Sequence, residues 1–243
     1  MLATLEFAIL GGAATPAPVR RAFAEKFGVR AIAGYGLSEA PTGIVRESPD
    51  EPISDTAAGY PMEPFALSIV DEAGAELGPG EEGEICIRAT TTGDWAGCFT
   101  PMLGYWRRPE ATTGALAGGM LHTGDVGTLD EKGCLSISGR RSEMILRGGA
   151  NVYPVEVENV LLSHPDVAEV AVFGIPDDRL GQRVAAAIVS RVPDPDLDAV
   201  RAHCVDRIAD YKIPEQITVV DSLPRNAMGK VVKGALADAA GDG

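Results

Sequence analysis

Four short stretches carry residue types that could act on a phosphorylated small molecule. The first is AGYGLSEA, Ala33 to Ala40. Gly34 and Gly36 allow close backbone approach, Ser38 supplies a hydroxyl and Glu39 a carboxylate. Such a loop could hold a phosphate on amide N–H groups while Glu39 binds Mg2+ through oxygen. The second is LHTGDVG, Leu121 to Gly127, with Asp125 at a turn between β-like runs. A carboxylate there can accept two hydrogen bonds from a ribose diol. The third is GRRSEMILRGGANVYPVEVE, Gly139 to Glu158. Arg140 offers a fork of donors to phosphate or sugar oxygens. Gly148 and Gly149 permit close approach of a slim ligand chain. The fourth is LPRNAMGKVVKG, Leu223 to Gly234. Pro224, Asn226 and Gly229 predict a mobile loop that ends on Lys230.

Each stretch alone has a plainer explanation. AGYGLSEA is also a glycine turn, and Asp125 also fits a turn whose side chain caps its own backbone. Glu156 and Glu158 follow Pro154 at a predicted helix start, where carboxylates favour the helix dipole, and that reading is the better one for them. Lys230 alone reads as a solvated lysine. Its surroundings make it conspicuous, because the 243-residue chain has 21 Lys and Arg against 35 Asp and Glu, a net charge of −14. That balance argues against nucleic acid or an anionic membrane as the main partner. It leaves room for a phosphorylated small molecule, which needs only a local cluster of donors.

The four cysteines, Cys86, Cys98, Cys134 and Cys204, form no C-x-x-C pair, and with three histidines none has zinc spacing. A protein-built zinc or iron site is therefore not expected, and a buried cysteine such as Cys86 reads as a small core residue. No apolar run reaches the ~18 residues of a membrane span, and no basic leader precedes the first apolar run. The expectation is a cytoplasmic, reduced protein.

The elements that must position these residues follow from periodicity. TLEFAILGG reads as a strand and a glycine loop. Thr15 and Pro16 open a helix with Val19, Ala22, Phe23 and Phe27 on one face, and Gly28 ends it. VRAIAGYG is a second strand, so this is a βαβ unit with neighbouring parallel strands. From about Pro61 to Gly139, short β-like runs and polar turns predict a β-rich region, with one helical piece at RRPEATTGAL. Beyond Gly139, the pattern β-α-β-β-α-β predicts a compact α+β unit of roughly 100 residues.

The order of the four stretches decides between the plain and the chemical readings: a glycine loop with Ser-Glu, then T-G-D, then G-R with a G-G loop, then P-R-N-x-x-G-K. In this order the chain resembles the adenylate-forming acyl-CoA synthetases, a superfamily shared with firefly luciferase and the adenylation domains of nonribosomal peptide synthetases. The resemblance runs from ILGGAATP to GKVVKG. It implies α/β and α+β architecture: a βαβ remnant and β-rich subdomain of a large domain over 1–141, then a small mobile α+β domain over 142–243.

The resemblance also implies roles. Gly12 and Ala13 would line the adenine and acyl pocket. Gly34, Tyr35, Gly36, Leu37 and Ser38 would wrap the adenylate, with Tyr35 near the adenine. Glu39 would hold Mg2+, and Asp125 with Arg140 would bind the ribose of ATP or AMP. Ser142 would be the hinge, Gly148 and Gly149 would flank the pantetheine of coenzyme A, and Lys230 would be the catalytic cation. The substrate would be a carboxylic acid, by this reading an apolar acyl or aryl acid. Ser38 stands where threonine is commoner, and Ser142 where lysine or aspartate is frequent. The family's upstream phosphate loop is not found in the chain. The expectation is therefore a truncated or split enzyme, possessing a separately encoded N-terminal half or lacking one. Two alternatives share the motifs: an adenylation domain loading a carrier-protein thiol, and an inactive nucleotide-binding or interaction module.

Overall fold

The computed structural model describes residues 4–11, 17–40, 42–54 and 56–241. They form two compact units, Met1–Ser138 and Gly139–Gly243. The division falls a few residues before the expected boundary at 141/142. Gly12 and Ala13, like Thr15 and Pro16, lie outside the described residues.

The first unit opens with β1 (Ala8–Leu10), α1 (Ala17–Phe27) and β2 (Ala31–Leu37). β1 and β2 pair in parallel, Ala8 opposite Ala31, as a strand–helix–strand connection requires. Then come β3 (Thr42–Arg46), β4 (Ala57–Pro61), β5 (Phe65–Val70), β6 (Gly83–Ala89), α2 (Pro109–Ala115), β7 (Leu121–Leu129) and β8 (Leu135–Arg140). The strands make one sheet in the order β1-β2-β3-β4-β8-β7-β6-β5. Ile44, Phe65, Ile69, Ile85, Ile87, Leu121 and Leu135 fill its core.

Helix α1 departs from the expected apolar face. Val19 and Phe27 are exposed, and the helix turns Ala17 and Arg20 inward. Arg20 Nη1 donates to Glu47 Oε2 at 2.7 Å, and both side chains are almost wholly buried. Arg30 lies 3.3 Å from the other Glu47 oxygen. A buried carboxylate needs such partners, and this one sets the helix rotation more strongly than a few exposed apolar side chains can.

The second unit comprises β9 (Ile145–Arg147), β10 (Ala150–Val152), α3 (Pro154–Leu162), β11 (Val167–Asp177), β12 (Gly181–Ser190), α4 (Leu197–Ala202), β13 (Gln216–Val219) and α5 (Lys233–Gly241). The sheet order is β10-β9-β12-β11, with β13 parallel to β12. Side-chain alternation explains the near-continuous apolar runs of β11 and β12. Val170, Val172, Val184, Ala186 and Ile188 pack with Val157 and Leu161 of α3 and Val200 of α4. Ala171, Phe173, Ile175, Ala185 and Ala187 pack on the other face, against Leu223 and the α5 residues Leu236, Ala237 and Ala240. Helices thus cover both faces. The sequence reading did not foresee α5, whose alanines favour helix without marking a wide apolar stripe. Among the described residues no helix is long and apolar enough to cross a membrane.

Candidate functional site

The glycine loop begins inside β2. Gly34 and Tyr35 pair with Arg46 and Val45 of β3, and a bulge follows between Tyr35 and Gly36. Bulges re-aim side chains, and this one precedes the turn of Ser38 and Glu39. The turn closes through Ala40 N–H to Leu37 O at 3.1 Å. Packing within the chain does not demand glycine at 34, since an added Cβ would meet its nearest atoms at an ordinary 3.6 Å.

Three hydrogen bonds tie this loop to distant segments. The Tyr35 hydroxyl donates to Asp125 Oδ2 at 2.7 Å. The Tyr105 hydroxyl donates to Glu39 Oε1 at 2.9 Å, and Met102 N–H donates to the Glu39 carbonyl at 2.7 Å. The first bond joins the glycine loop to the T-G-D stretch across 90 residues of sequence. The second orients a half-buried carboxylate that has no ion pair among the described residues. One oriented carboxylate of this kind fits Mg2+, which is commonly held by one or two carboxylates, substrate phosphates and water.

Asp125 is 6% exposed within β7. β6 and β7 pair with a register shift: Glu84 faces Val126 and Cys86 faces His122, so Thr123, Gly124 and Asp125 bulge out opposite one residue. Gly124 takes a φ of +72° there, a conformation that favours glycine. Thr123 Oγ1 donates to Ile85 O at 2.8 Å and accepts Asp125 N–H at 3.0 Å. Gly124 N–H donates to Glu84 Oε1 at 3.0 Å. Burial, then the Glu84 and Glu76 carboxylates, push the neighbouring Cys86 thiol up to about 12.

The remaining expected residues belong to the second unit. Arg140 is exposed at the end of β8, and Ser142 lies in the single 3-10 turn Arg141–Glu143 before β9. Gly148 and Gly149 form the exposed turn between β9 and β10, with φ of +59° and +86°. Both values lie where an L side chain is strained, so the backbone itself accounts for these two glycines. Glu156 and Glu158 do more than serve the helix dipole. Glu156 clasps Lys212 Nζ at 2.6 and 2.8 Å. Glu158 accepts Val172 N–H at 2.9 Å and pairs with Lys233 at 2.8 Å.

Lys230 sits on a tighter support than the expected mobile loop. Asn226 Oδ1 accepts the N–H groups of Met228 and Lys230, each at 3.0 Å. Asn226 N–H donates to Lys230 O at 2.9 Å, and Arg225 donates to Gly229 O at 2.8 Å. The turn is therefore hydrogen-bonded end to end. The lysine itself is exposed, and among the described residues its Nζ has no ion pair. Lys233, three residues on, bridges Glu143 and Glu158. Of the two lysines in GKVVKG, Lys230 alone remains available to an outside anion.

Comparison with known proteins identifies the family. The AMP-binding enzyme family matches residues 1–106, and the AMP-binding enzyme C-terminal domain matches residues 156–230. The chain belongs to the adenylate-forming acyl-CoA ligase superfamily. A 2-succinylbenzoate–CoA ligase of Geobacillus kaustophilus is 41% identical over 232 residues, 95% of this chain and 45% of that protein. The crystal structure of an anthranilate CoA ligase in complex with anthranoyl-AMP superposes with a TM-score of 0.85 at 32% identity, covering 99% of this chain and 45% of that one. An amide bond synthetase from Marinactinospora thermotolerans has a TM-score of 0.85 at 36% identity, over 98% of this chain and 48% of its own. The chain spans less than half the length of the relatives it matches.

Sequence reasoning missed Tyr105, Glu84 and His122 around the first-unit residues, and Lys233 in the second. The GYW and GEIC stretches were visible as loop and strand. Their partnership with Glu39 and the T-G-D turn emerges only from long-range pairing.

Proposed function

We propose that the chain is the second half of an acid–thiol ligase of the acyl-CoA synthetase type. A carboxylate oxygen attacks the α-phosphorus of ATP and pyrophosphate leaves. The thiol of coenzyme A then attacks the acyl carbon, loses its proton, and AMP leaves. In this reading Asp125, held by Tyr35, receives the ribose hydroxyls with help from Arg140. Residues Gly34 to Ser38 wrap the adenylate, and Glu39 holds Mg2+, whose charge offsets that of the phosphates. Lys230 neutralises the α-phosphate and the acyl carboxylate as the two anions meet. Rotation at Ser142 would withdraw Lys230 and bring the Gly148–Gly149 turn to the pantetheine. The acid is an apolar acyl or aryl one, and the compartment is the cytoplasm.

The observation that carries this reading is the Tyr35–Asp125 bond, which unites two motifs whose proposed duties are the two ends of one nucleoside. The test is acid-dependent ATP–pyrophosphate exchange, with this chain alone and fused to a first half supplied by a full-length relative. Exchange is expected in the fusion and absent from the chain alone. A folded fusion without exchange against a panel of aryl and acyl acids would overturn the proposal.

A second reading keeps adenylation and changes the acceptor from coenzyme A to a carrier-protein thiol or an amine. The likeness to an amide bond synthetase favours giving it a place. Supplying acyl-AMP with coenzyme A, a pantetheinylated carrier protein or an amine separates the readings by which product forms.

A further inference from the structure

The register shift that bulges the T-G-D turn also gathers three unlike ligands. Cys86 of β6 stands opposite His122 of β7, with Glu84 two residues before it. His122 Nδ1 lies 3.3 Å from Cys86 Sγ and 3.0 Å from Glu84 Oε2. The three donor atoms all lie within 4.8 Å of one another. In the metal-free protein the carboxylate only accepts, the Cys86 S–H is a weak donor, and the imidazole Nδ1 donates one hydrogen or none. A cation at the point where the three converge would satisfy all of them together.

The distances suit a particular class of cation. Tetrahedral zinc has bonds of about 2.3 Å to sulfur and 2.0–2.2 Å to nitrogen or oxygen. Those lengths set ligand-to-ligand edges of roughly 3.4–3.6 Å, so the two shorter edges must widen by a few tenths of an ångström, while the third, from Cys86 Sγ to Glu84, lies within 4.8 Å and must come to the same length. Thiolate and imidazole favour zinc-class ions over Mg2+. The carboxylate is already oriented, because Glu84 Oε1 holds Gly124 N–H while Oε2 faces the histidine. The side chains of His122 and Glu84 are 20% and 15% exposed, which leaves an open side for water and a way in.

We propose that Glu84, Cys86 and His122 bind a zinc-class divalent cation, with water as the fourth ligand. Burial keeps Cys86 a thiol in the metal-free protein, and a bound cation removes that proton outright. The ion would clamp β6 to β7 at the base of the turn that presents Asp125. It is distinct from the Mg2+ proposed at Glu39. The sequence shows no zinc spacing because two ligands come from one strand and the third from another, 36 residues on.

Cobalt titration of the chelator-stripped 243-residue chain tests the site. A thiolate-to-Co2+ charge-transfer band should rise to about one equivalent and bleach when Zn2+ is added. Cys98→Ser should keep the band and Cys86→Ser should lose it. Glu84→Gln and His122→Gln should weaken binding at least about 10–100-fold, the loss seen even for partners one layer beyond the ligands. Circular dichroism checks that each variant folds. X-ray absorption of the zinc-loaded parent needs no variant and should show one sulfur at about 2.3 Å. No band at millimolar Co2+, a band that survives Cys86→Ser, or a shell of nitrogen and oxygen alone would each overturn the site.

Discussion

Asp125 and Lys230 are presented in opposite ways. Asp125 is buried in a strand, its own N–H held by Thr123 and its carboxylate by Tyr35. Lys230 is exposed on a turn, its backbone held by Asn226 and its ammonium held by nothing among the described residues. A group that must keep a nucleoside in register gains from burial, because a fixed acceptor needs no reorganisation when the ligand arrives. A group that must reach an anion and then leave it gains from a rigid backbone under an unpaired side chain. Under the proposed function, a salt bridge at Lys230 would have to break at every turnover, as the bridge of Lys233 to Glu143 and Glu158 would.

The strongest way to break this comparison is to remove one function at a time. In a fusion carrying a first half, Lys230→Ala should lower acid-dependent pyrophosphate exchange roughly 10²–10³-fold, the cost of deleting one positioned charge-stabilising group. Conversion of supplied acyl-AMP to thioester should change little. Gly148→Val should do the reverse, since a β-branched residue at a φ of +59° distorts the turn proposed to meet pantetheine. Equal loss of both steps in either variant contradicts the division of labour.

Tyr35→Phe probes the buried partner. It removes a hydrogen bond to a buried carboxylate, worth about 1.5–3 kcal/mol. The amides of Asp125 and Val126 should then exchange with solvent roughly 10- to 100-fold faster if they open locally. Amides of β11 and β12, in the other unit, should not respond. Unchanged exchange at Asp125 would mean that Tyr35 does not anchor the turn.

The same contrast explains what could be read from the sequence. Local signals were sufficient for the βαβ unit, for the Pro154 start of α3 and for the apolar strands β11 and β12. The motif set singled out Glu39, Asp125 and Lys230 as candidates because each lies in a short, ordered pattern. Partnerships were illegible wherever they cross the sheet. Nothing local says that Tyr105 bonds Glu39, or that Arg20 rather than Val19 faces inward from α1. The lacing of the Lys230 turn was illegible for a related reason. Pro, Asn and Gly mark a turn without saying whether the asparagine side chain will lace it shut.

Asn226→Ala is the gentlest test, and it bears on how the exposed lysine is aimed. The substitution leaves Lys230 in place and removes the acceptor of two backbone N–H groups. Each lost bond is worth about 0.5–1.5 kcal/mol at most, and less where water can replace it. The thermal midpoint should therefore move little. Exchange activity of the fusion should nevertheless fall about tenfold, because small misplacements of a catalytic group cost more in rate than in stability. Asn226→Asp restores an oxygen acceptor at the same position and should recover most of the loss. If Asn226→Ala keeps full exchange activity, the lysine finds its target through side-chain reach alone, and the laced turn serves only local stability.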